Sequence, residues 1–298
     1  MSAVRPALAV TEFTDPACPW AWGSEPALRL LRHILEPVCR WRRVYGILFD
    51  EDDDEAPDPK AEARWYDGFI REVAVHTGAP YADRLRWLTR SSWPASAAAK
   101  AAEAQGPRVA ELVLRRLRES TFAHGTPADS ADGIRAAVAG VPGLDADRLL
   151  DEAGSAALRA AVAADRAEAR RPAAEVVGLT GQGPHPGAAK ELADGVRYAL
   201  PTLVFEGPGG RVCAPGWRSF EAYLAAAARA AGGPLPTPEV PDAATALERW
   251  RTLTGPELAL LTREKAPPKD AVELSTAGGP LWLHPAEQRD RRRSPGSR

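Results

Sequence analysis

The chain predicts an α/β fold interrupted by helices, and three observations carry that prediction. An apolar β-branched run, a helix and a second run fill roughly the first 50 residues. Residues 61–175 then show helical periodicity almost without a break, and strand signal returns late, for two runs closed by one more helix. The 298 residues, 45% hydrophobic and 26% charged, suit one to two domains with a core large enough to fold without disulfide staples. Thirty-eight basic residues against 40 acidic ones exclude the broad positive footprint of a nucleic-acid or acidic-lipid binder. No apolar run approaches the roughly 18 residues of a membrane span, and the first residues lack a basic region followed by an apolar one, so a cytoplasmic setting without membrane contact is expected. Of the 38 basic residues 33 are Arg, beside abundant Ala and Pro. That bias fits a GC-rich genome, so arginine-rich segments carry little functional weight.

Residues 8–13 (LAVTEF) read as a buried strand stopping at Asp15-Pro16. After Cys18-Pro19-Trp20, Leu28, Leu31 and Leu35 recur at helical spacing, with Ala27, Leu30 and Ile34 widening the apolar face. Pro26 should kink this helix or mark its true start. Residues 40–49 form the second strand, and residues 50–60, acidic and with two prolines, a solvated loop without the glycine turn and spaced ligands of a calcium site. In the helical stretch Trp65, Phe69, Ile70 and Val73 share one face, as do Val109, Leu112, Val113 and Leu117, and later Leu149, Leu150, Leu158 and Val162. Gly106-Pro107, Gly125-Thr126-Pro127 and Pro142-Gly143 punctuate it.

Strand signal is next expected only at residues 198–205 (YALPTLVF), turning at Gly207-Pro208-Gly209-Gly210 into an antiparallel return over 211–214. A helix over 219–231 follows, with Ser219 as its N-cap. The expected organisation is thus a first half-core over 1–60 (βαβ), a helical insertion over 61–175, and a second half-core over 176–232 (ββα). Residues 233–298 supply a linker, a small α/β extension and a disordered basic tail from 289. Residues 243–263 read as helix and 272–283 as a hairpin turning at Gly278-Gly279. That extension faintly resembles a truncated winged helix; a cap packed on the half-cores through Trp250, Leu258, Leu260 and Trp282 is the plainer reading, because 266–274 is not arginine-rich.

The three cysteines, Cys18, Cys39 and Cys213, show no paired spacing and signal neither a disulfide framework nor zinc. His33, His76, His124 and His284 show no ligand spacing, so no metal is expected. Cys18 follows a strand and opens a helix, where free backbone N–H groups and the helix dipole favour a thiolate; the alternative is a small buried apolar side chain. Pro201, leading a strand where no ladder donor is needed, can be cis. Trp20 is expected to wall a substrate groove and Trp22 to pack. His185, in Gly183-Pro184-His185-Pro186-Gly187, could approach Cys18 as a base, but a lone loop histidine is expected to face solvent. No phosphate loop, nucleophile-elbow serine or His-Glu helix motif occurs.

The order of these features resembles the thioredoxin-like fold, and more narrowly the DsbA-like family in its FrnE-type branch with a helical insertion. The residues carrying the resemblance are Asp15-Pro16-Ala17-Cys18-Pro19-Trp20, Ser96-Ala97-Ala98-Ala99-Lys100, Gly143-Leu144-Asp145, Gly195-Val196 and Leu200-Pro201-Thr202. It implies Cys18 as the attacking thiolate and a substrate-docking surface formed by Pro19, Trp20, Leu200, Pro201 and Thr202. Redox-active members carry Cys-Pro-Trp-Cys where this chain has Cys-Pro-Trp-Ala, so no resolving thiol stands at Ala21. Cys39 lies about 30 Å away if the segment between is wholly helical, and Cys213 falls in the return strand at the sheet edge, so neither is expected to replace it.

Three functions follow. The first is a thiol-disulfide oxidoreductase with a one-cysteine mechanism, acting on a protein or small-molecule disulfide, with no tightly bound cofactor and with mycothiol or glutathione as thiol co-substrate. The second is a thiol-dependent transferase or isomerase of the kappa glutathione transferase type, although that family's serine is absent at position 18. The third is a degenerate member that binds peptide or protein without chemistry.

Overall fold

The computed structural model describes residues 8–52, 57–180, 183–236, 239–264 and 266–293. Along the chain come Leu8–Thr14 (β1), Pro19–Gly23 (α1), Glu25–Leu35 (α2) and Cys39–Tyr45 (β2), then Pro59–Thr77 (α3), Trp93–Ala101 (α4), Pro107–Phe122 (α5), Ala131–Val138 (α6), Ala146–Ala153 (α7) and Ala156–Ala169 (α8). Lys190–Leu192 (β3), Gly195–Arg197 (β4), Thr202–Gly207 (β5), Gly210–Pro215 (β6) and Phe220–Ala231 (α9) follow. The chain closes with Ala243–Trp250 (α10), Thr252–Thr254 (β7), Gly255–Leu261 (α11), Val272–Leu274 (β8), Leu281–Leu283 (β9) and Pro285–Arg293 (α12). Two compact units result, one of residues 1–46 with 165–240 and the other of 47–164 with 241–298.

The first unit is built on a four-stranded sheet in the order β2-β1-β5-β6. β1 runs parallel to β2 and antiparallel to β5, and β5 pairs antiparallel with β6, which is the α/β, thioredoxin-like fold the sequence predicts. β1 is central, and all its residues but Ala9 are buried. Burying Glu12 within it is tolerable because Trp41 Nε1 (2.8 Å), Arg43 Nε (3.2 Å) and Arg32 Nη1 (3.3 Å) all donate to one carboxylate oxygen. α2 lays Leu28, Leu31 and Leu35 fully into the core. α9 packs on β5 and β6, capped by Ser219, whose hydroxyl accepts from Ala222 N.

Pro26 marks a true helix start, one of its two expected outcomes: Ser24 ends α1, its N–H and hydroxyl both donating to Trp20 O, and Pro26 stands in the first turn of α2, where no N–H is needed. Three other local expectations for this unit change. The second strand stops at Tyr45, and Ile47 leaves it with φ 50°. Strand structure also returns earlier than residue 198, because β3 and β4 form a two-stranded hairpin. Each is three residues long with no apolar alternation, so the sequence carried no period to read. Residues 198–201 are a connection rather than strand.

The second unit holds the helical insertion together with the C-terminal extension. Ile47, Ala97 and Val162 form one of its apolar clusters. The expected face of α3 is displaced: Tyr66, Ile70 and Val73 are buried, while Trp65 is 66% exposed and stacks on Phe69. The extension's expected seat is corrected too, for its buried partners lie on α5 of the insertion. Arg115 makes a two-pronged ion pair with Glu257 (2.8 and 3.0 Å), and Glu119 accepts from Thr252 (2.6 Å) and pairs with Arg291 (2.5 Å). Arg116 pairs with Glu287 (2.6 Å), and Leu281 and Leu283 pack on Ala123. Glu257 also closes a capping box with Thr254 at the start of α11.

The expected hairpin forms from β8 and β9, with β7 pairing on the other side of β9, and no helix lies between α11 and β8 among the described residues. The basic tail expected to be disordered from 289 is helical through Arg293, in α12; 294–298, and 53–56 of the acidic loop, lie outside the described residues. Among the described residues no helix is long and apolar enough to cross a membrane.

Candidate active site

At the end of β1 the buried Asp15 shapes the turn: its carboxylate accepts from Ala17 N at 2.7 Å and its carbonyl from Cys18 N at 3.2 Å. Cys18 is then the N-cap of α1, with φ −84° and ψ 117°, and Pro19 takes the first helical position, where its missing N–H costs nothing. The Cys18 side chain makes no capping bond. Its Sγ instead donates to Leu200 O at 3.4 Å, and the residue is 4% exposed.

Sheet register explains how Leu200 arrives there. Phe13 lies opposite Thr202, and Thr202 opposite Pro215, so the connection into β5 meets the turn leaving β1 at the same sheet end. The Leu200-Pro201 peptide is cis. Pro201 O accepts from Gly216 N (2.8 Å), and the buried Thr202 hydroxyl donates back to Ala199 O (2.6 Å). Cys18, Pro19, Trp20, Leu200, Pro201 and Thr202, all singled out from the sequence, therefore stand at one end of one sheet. Trp22 is buried, Trp20 is half-buried, and Ala21 is fully enclosed.

His185 departs from expectation, being only 6% exposed. Its Nε2 lies 3.3 Å from the same Leu200 O, and its ring meets Trp20 edge-on at 5.0 Å. Arg218 pins the loop, donating to His185 O and Pro186 O at 2.7 Å each. Gly216 lies so close that a Cβ there would stand 2.4 Å from His185 Nδ1. Burial, reinforced by Lys190, pushes the imidazole pKa down to about 4, so the ring is neutral at physiological pH. Sequence reasoning missed Arg218, and also Trp217, whose ring lies 6.0 Å from Trp20. Only the two prolines flanking His185 signalled a held loop.

The other thiols are elsewhere, and none of the three cysteines is joined in a disulfide. Cys39 pairs with Leu8, at the opposite end of β1 from Cys18; the six-residue step to Thr14 spans about 20 Å. Cys213 lies opposite Val204 in β6, two strands or about 10 Å across the sheet from β1. Burial pushes the Cys39 thiol up to about 12 and the Cys213 thiol up to about 11, so both stay protonated and poorly nucleophilic. Among the described residues no cluster of His, Cys, Asp or Glu is placed to hold a metal ion.

A family model described as thioredoxin matches residues 12–171, more than half of the chain. A curated relative, the ClpXP adapter protein SpxH of Shouchella clausii, is 31% identical over 144 residues, covering 48% of this chain and 47% of its own. The chain thus spans about half the length of that relative. Among solved structures, the cytosolic disulfide reductase DsbM from Pseudomonas aeruginosa superposes with a TM-score of 0.51 at 19% identity, over 75% of this chain and 95% of its own. A probable DsbA oxidoreductase from Streptomyces coelicolor gives a TM-score of 0.52 at 19% identity, over 79% and 94%. At these identities the two structures establish a shared DsbA-like fold.

Proposed function

The chain belongs to the thioredoxin family, and on that premise we propose that it carries out thiol–disulfide exchange through Cys18 alone. The observation that supports this reading is the placement of the three sulfurs: Cys18 stands where a strand meets a helix beside the Pro201 connection, Ala21 fills the resolver position, and Cys39 and Cys213 lie out of reach. Cys18 gives its proton to solvent and attacks one sulfur of a substrate disulfide. A mixed disulfide forms, and the second substrate sulfur leaves as a thiolate that takes up a proton. A low-molecular-weight thiol, glutathione or mycothiol, then attacks the Cys18 sulfur and frees the first substrate sulfur. A second molecule of that thiol releases Cys18, so the substrate disulfide is reduced and two small thiols are joined. A cytoplasmic setting supplies such a pool.

The Cys18 side chain is almost enclosed, which favours a slender disulfide over a bulky one. Glutathione disulfide at neutral pH tests the reading. Intact mass should rise by one glutathione in the wild type, peptide mapping should place it on Cys18, and the Cys18→Ser variant should show no adduct. Absence of a Cys18 adduct overturns it.

The half-length match to an adapter protein favours a second reading, in which the face around Trp20 and Pro201 binds a protein without covalent chemistry. Under that reading Cys18→Ser keeps full affinity for the bound protein. Under the first, that variant loses the covalent complex.

A further inference from the structure

Leu200 O receives two donors, and the second is the one whose purpose the fold does not explain. A carbonyl oxygen cannot donate, so the 3.3 Å contact from His185 requires the proton to be on Nε2. Nδ1 then carries the lone pair. It is buried without a hydrogen-bond partner, against the backbone of Gly216, and burial of the ring disfavours a second proton and the charge it would bring. The loop is built to hold this ring: two prolines flank it, Arg218 ties down two of its carbonyls, and Trp20 closes its edge.

For a neutral Cys18 the Leu200 carbonyl is a good partner. For a Cys18 thiolate it is a bad one, since its partial negative charge faces the sulfur and the carbonyl loses its sulfhydryl donor at the moment of ionisation. The Nε2–H of His185 answers both problems by offsetting the charge and by keeping the oxygen satisfied after the sulfhydryl proton has gone. We propose that His185 is a positioning residue for Cys18, acting through the shared Leu200 carbonyl to ease formation of the reactive thiolate. It neither removes the cysteine's proton nor touches substrate. The charged groups around the pair, Lys190, Arg218 and Asp15 in the cysteine's own turn, are the same with and without it.

This inference rests on the reading of Cys18 as the exchanging thiol, and two experiments separate their failures. The first is the pH dependence of Cys18 alkylation by iodoacetamide, with modification of each cysteine followed by peptide mapping. His185→Leu removes the donor; His185→Gln keeps an N–H the same number of bonds from the backbone. The Leu variant should titrate at least one pH unit higher than wild type, hence react about tenfold more slowly at neutral pH, and the Gln variant should recover most of that loss. Equal profiles for wild type and His185→Leu, with Cys18 still forming its glutathione adduct, overturn the role of His185 and leave the exchange reading standing. A wild-type Cys18 that forms no adduct overturns both. The second experiment needs no variant: in nitrogen-15 histidine spectra of the wild-type protein His185 should appear as the Nε2–H tautomer and remain neutral at pH 5. A Nδ1–H tautomer, or titration near the ordinary histidine value of about 6.5, contradicts the proposal even if the variants fail to fold.

Discussion

Two regions, the seam along α5 in the helical unit and the Cys18 end of the sheet unit, bury polar groups in opposite ways. In the helical unit Arg115, Glu119, Glu257, Thr252, Arg116, Glu287 and Arg291 answer one another across the seam between α5 and the C-terminal extension. Charge there meets opposite charge in fixed geometry. At the Cys18 end of the sheet unit a thiol and an imidazole crowd one carbonyl, and a ring nitrogen is left with no partner. The first arrangement holds two pieces of chain together. The second keeps neutral groups in place beside a sulfur, with bonds that can be exchanged when that sulfur ionises.

If the network in the helical unit is structural, breaking it should have the largest effect on stability. Glu257→Ala leaves Arg115 buried without its two-pronged partner, and urea unfolding should show a loss of about 3–5 kcal/mol, while Cys18 alkylation under native conditions stays unchanged. A loss below about 1 kcal/mol would erase the distinction between the units.

Acid should tell the units apart by window. The folded pKa of His185 is depressed from 6.5 to about 4, so the unfolded chain binds that proton first and stability falls as the pH drops through this range, by up to about 3 kcal/mol. His185→Gln should flatten that part of the curve. Burial alone would raise the Glu119 carboxyl, but Arg291, Arg115 and Arg116 together hold it well below its ordinary 4.5. Its contribution is therefore present above that value and lost only as the pH falls beneath it. Denaturant melts from pH 7 to 3.5 for wild type and His185→Gln test both signs.

Ala21→Cys restores a thiol three residues after Cys18 in a fully enclosed position. Extra volume there should cost about 1–3 kcal/mol, while the mixed disulfide, now resolved within the chain, should become short-lived. Smallest of all, Ser219→Ala removes the α9 cap and should cost about 1 kcal/mol with no change in thiol reactivity, measured by thermal melts and alkylation side by side.

Much of the sheet unit was legible because its signals are local. The β-branched run of β1, the Pro-Thr pair opening β5 and the Ser219 cap each sit within a few residues, and their order along the chain pointed to the fold and to Cys18. The cis Leu200-Pro201 peptide was anticipated for the same reason. What escaped depends on distant partners. Nothing near His185 says that its ring meets a carbonyl 15 residues on, so a lone loop histidine was expected in solvent. Nothing local marks Arg115, Arg116 and Glu119 as buried, because their partners Glu257, Glu287 and Arg291 come from the C-terminal extension. Helical spacing puts Trp65 on one face with Phe69, Ile70 and Val73, yet Tyr66, one position round the helix, is the ring that is buried.

The claim that Cys18 works alone is tested most directly by the lifetime of its mixed disulfide. Wild-type protein charged with glutathione at Cys18 and freed of excess reagent should keep the adduct, and on adding small thiol should lose it at a rate proportional to the thiol concentration. Decay without added thiol, accompanied by a disulfide from Cys18 to Cys39 or Cys213, would contradict the account.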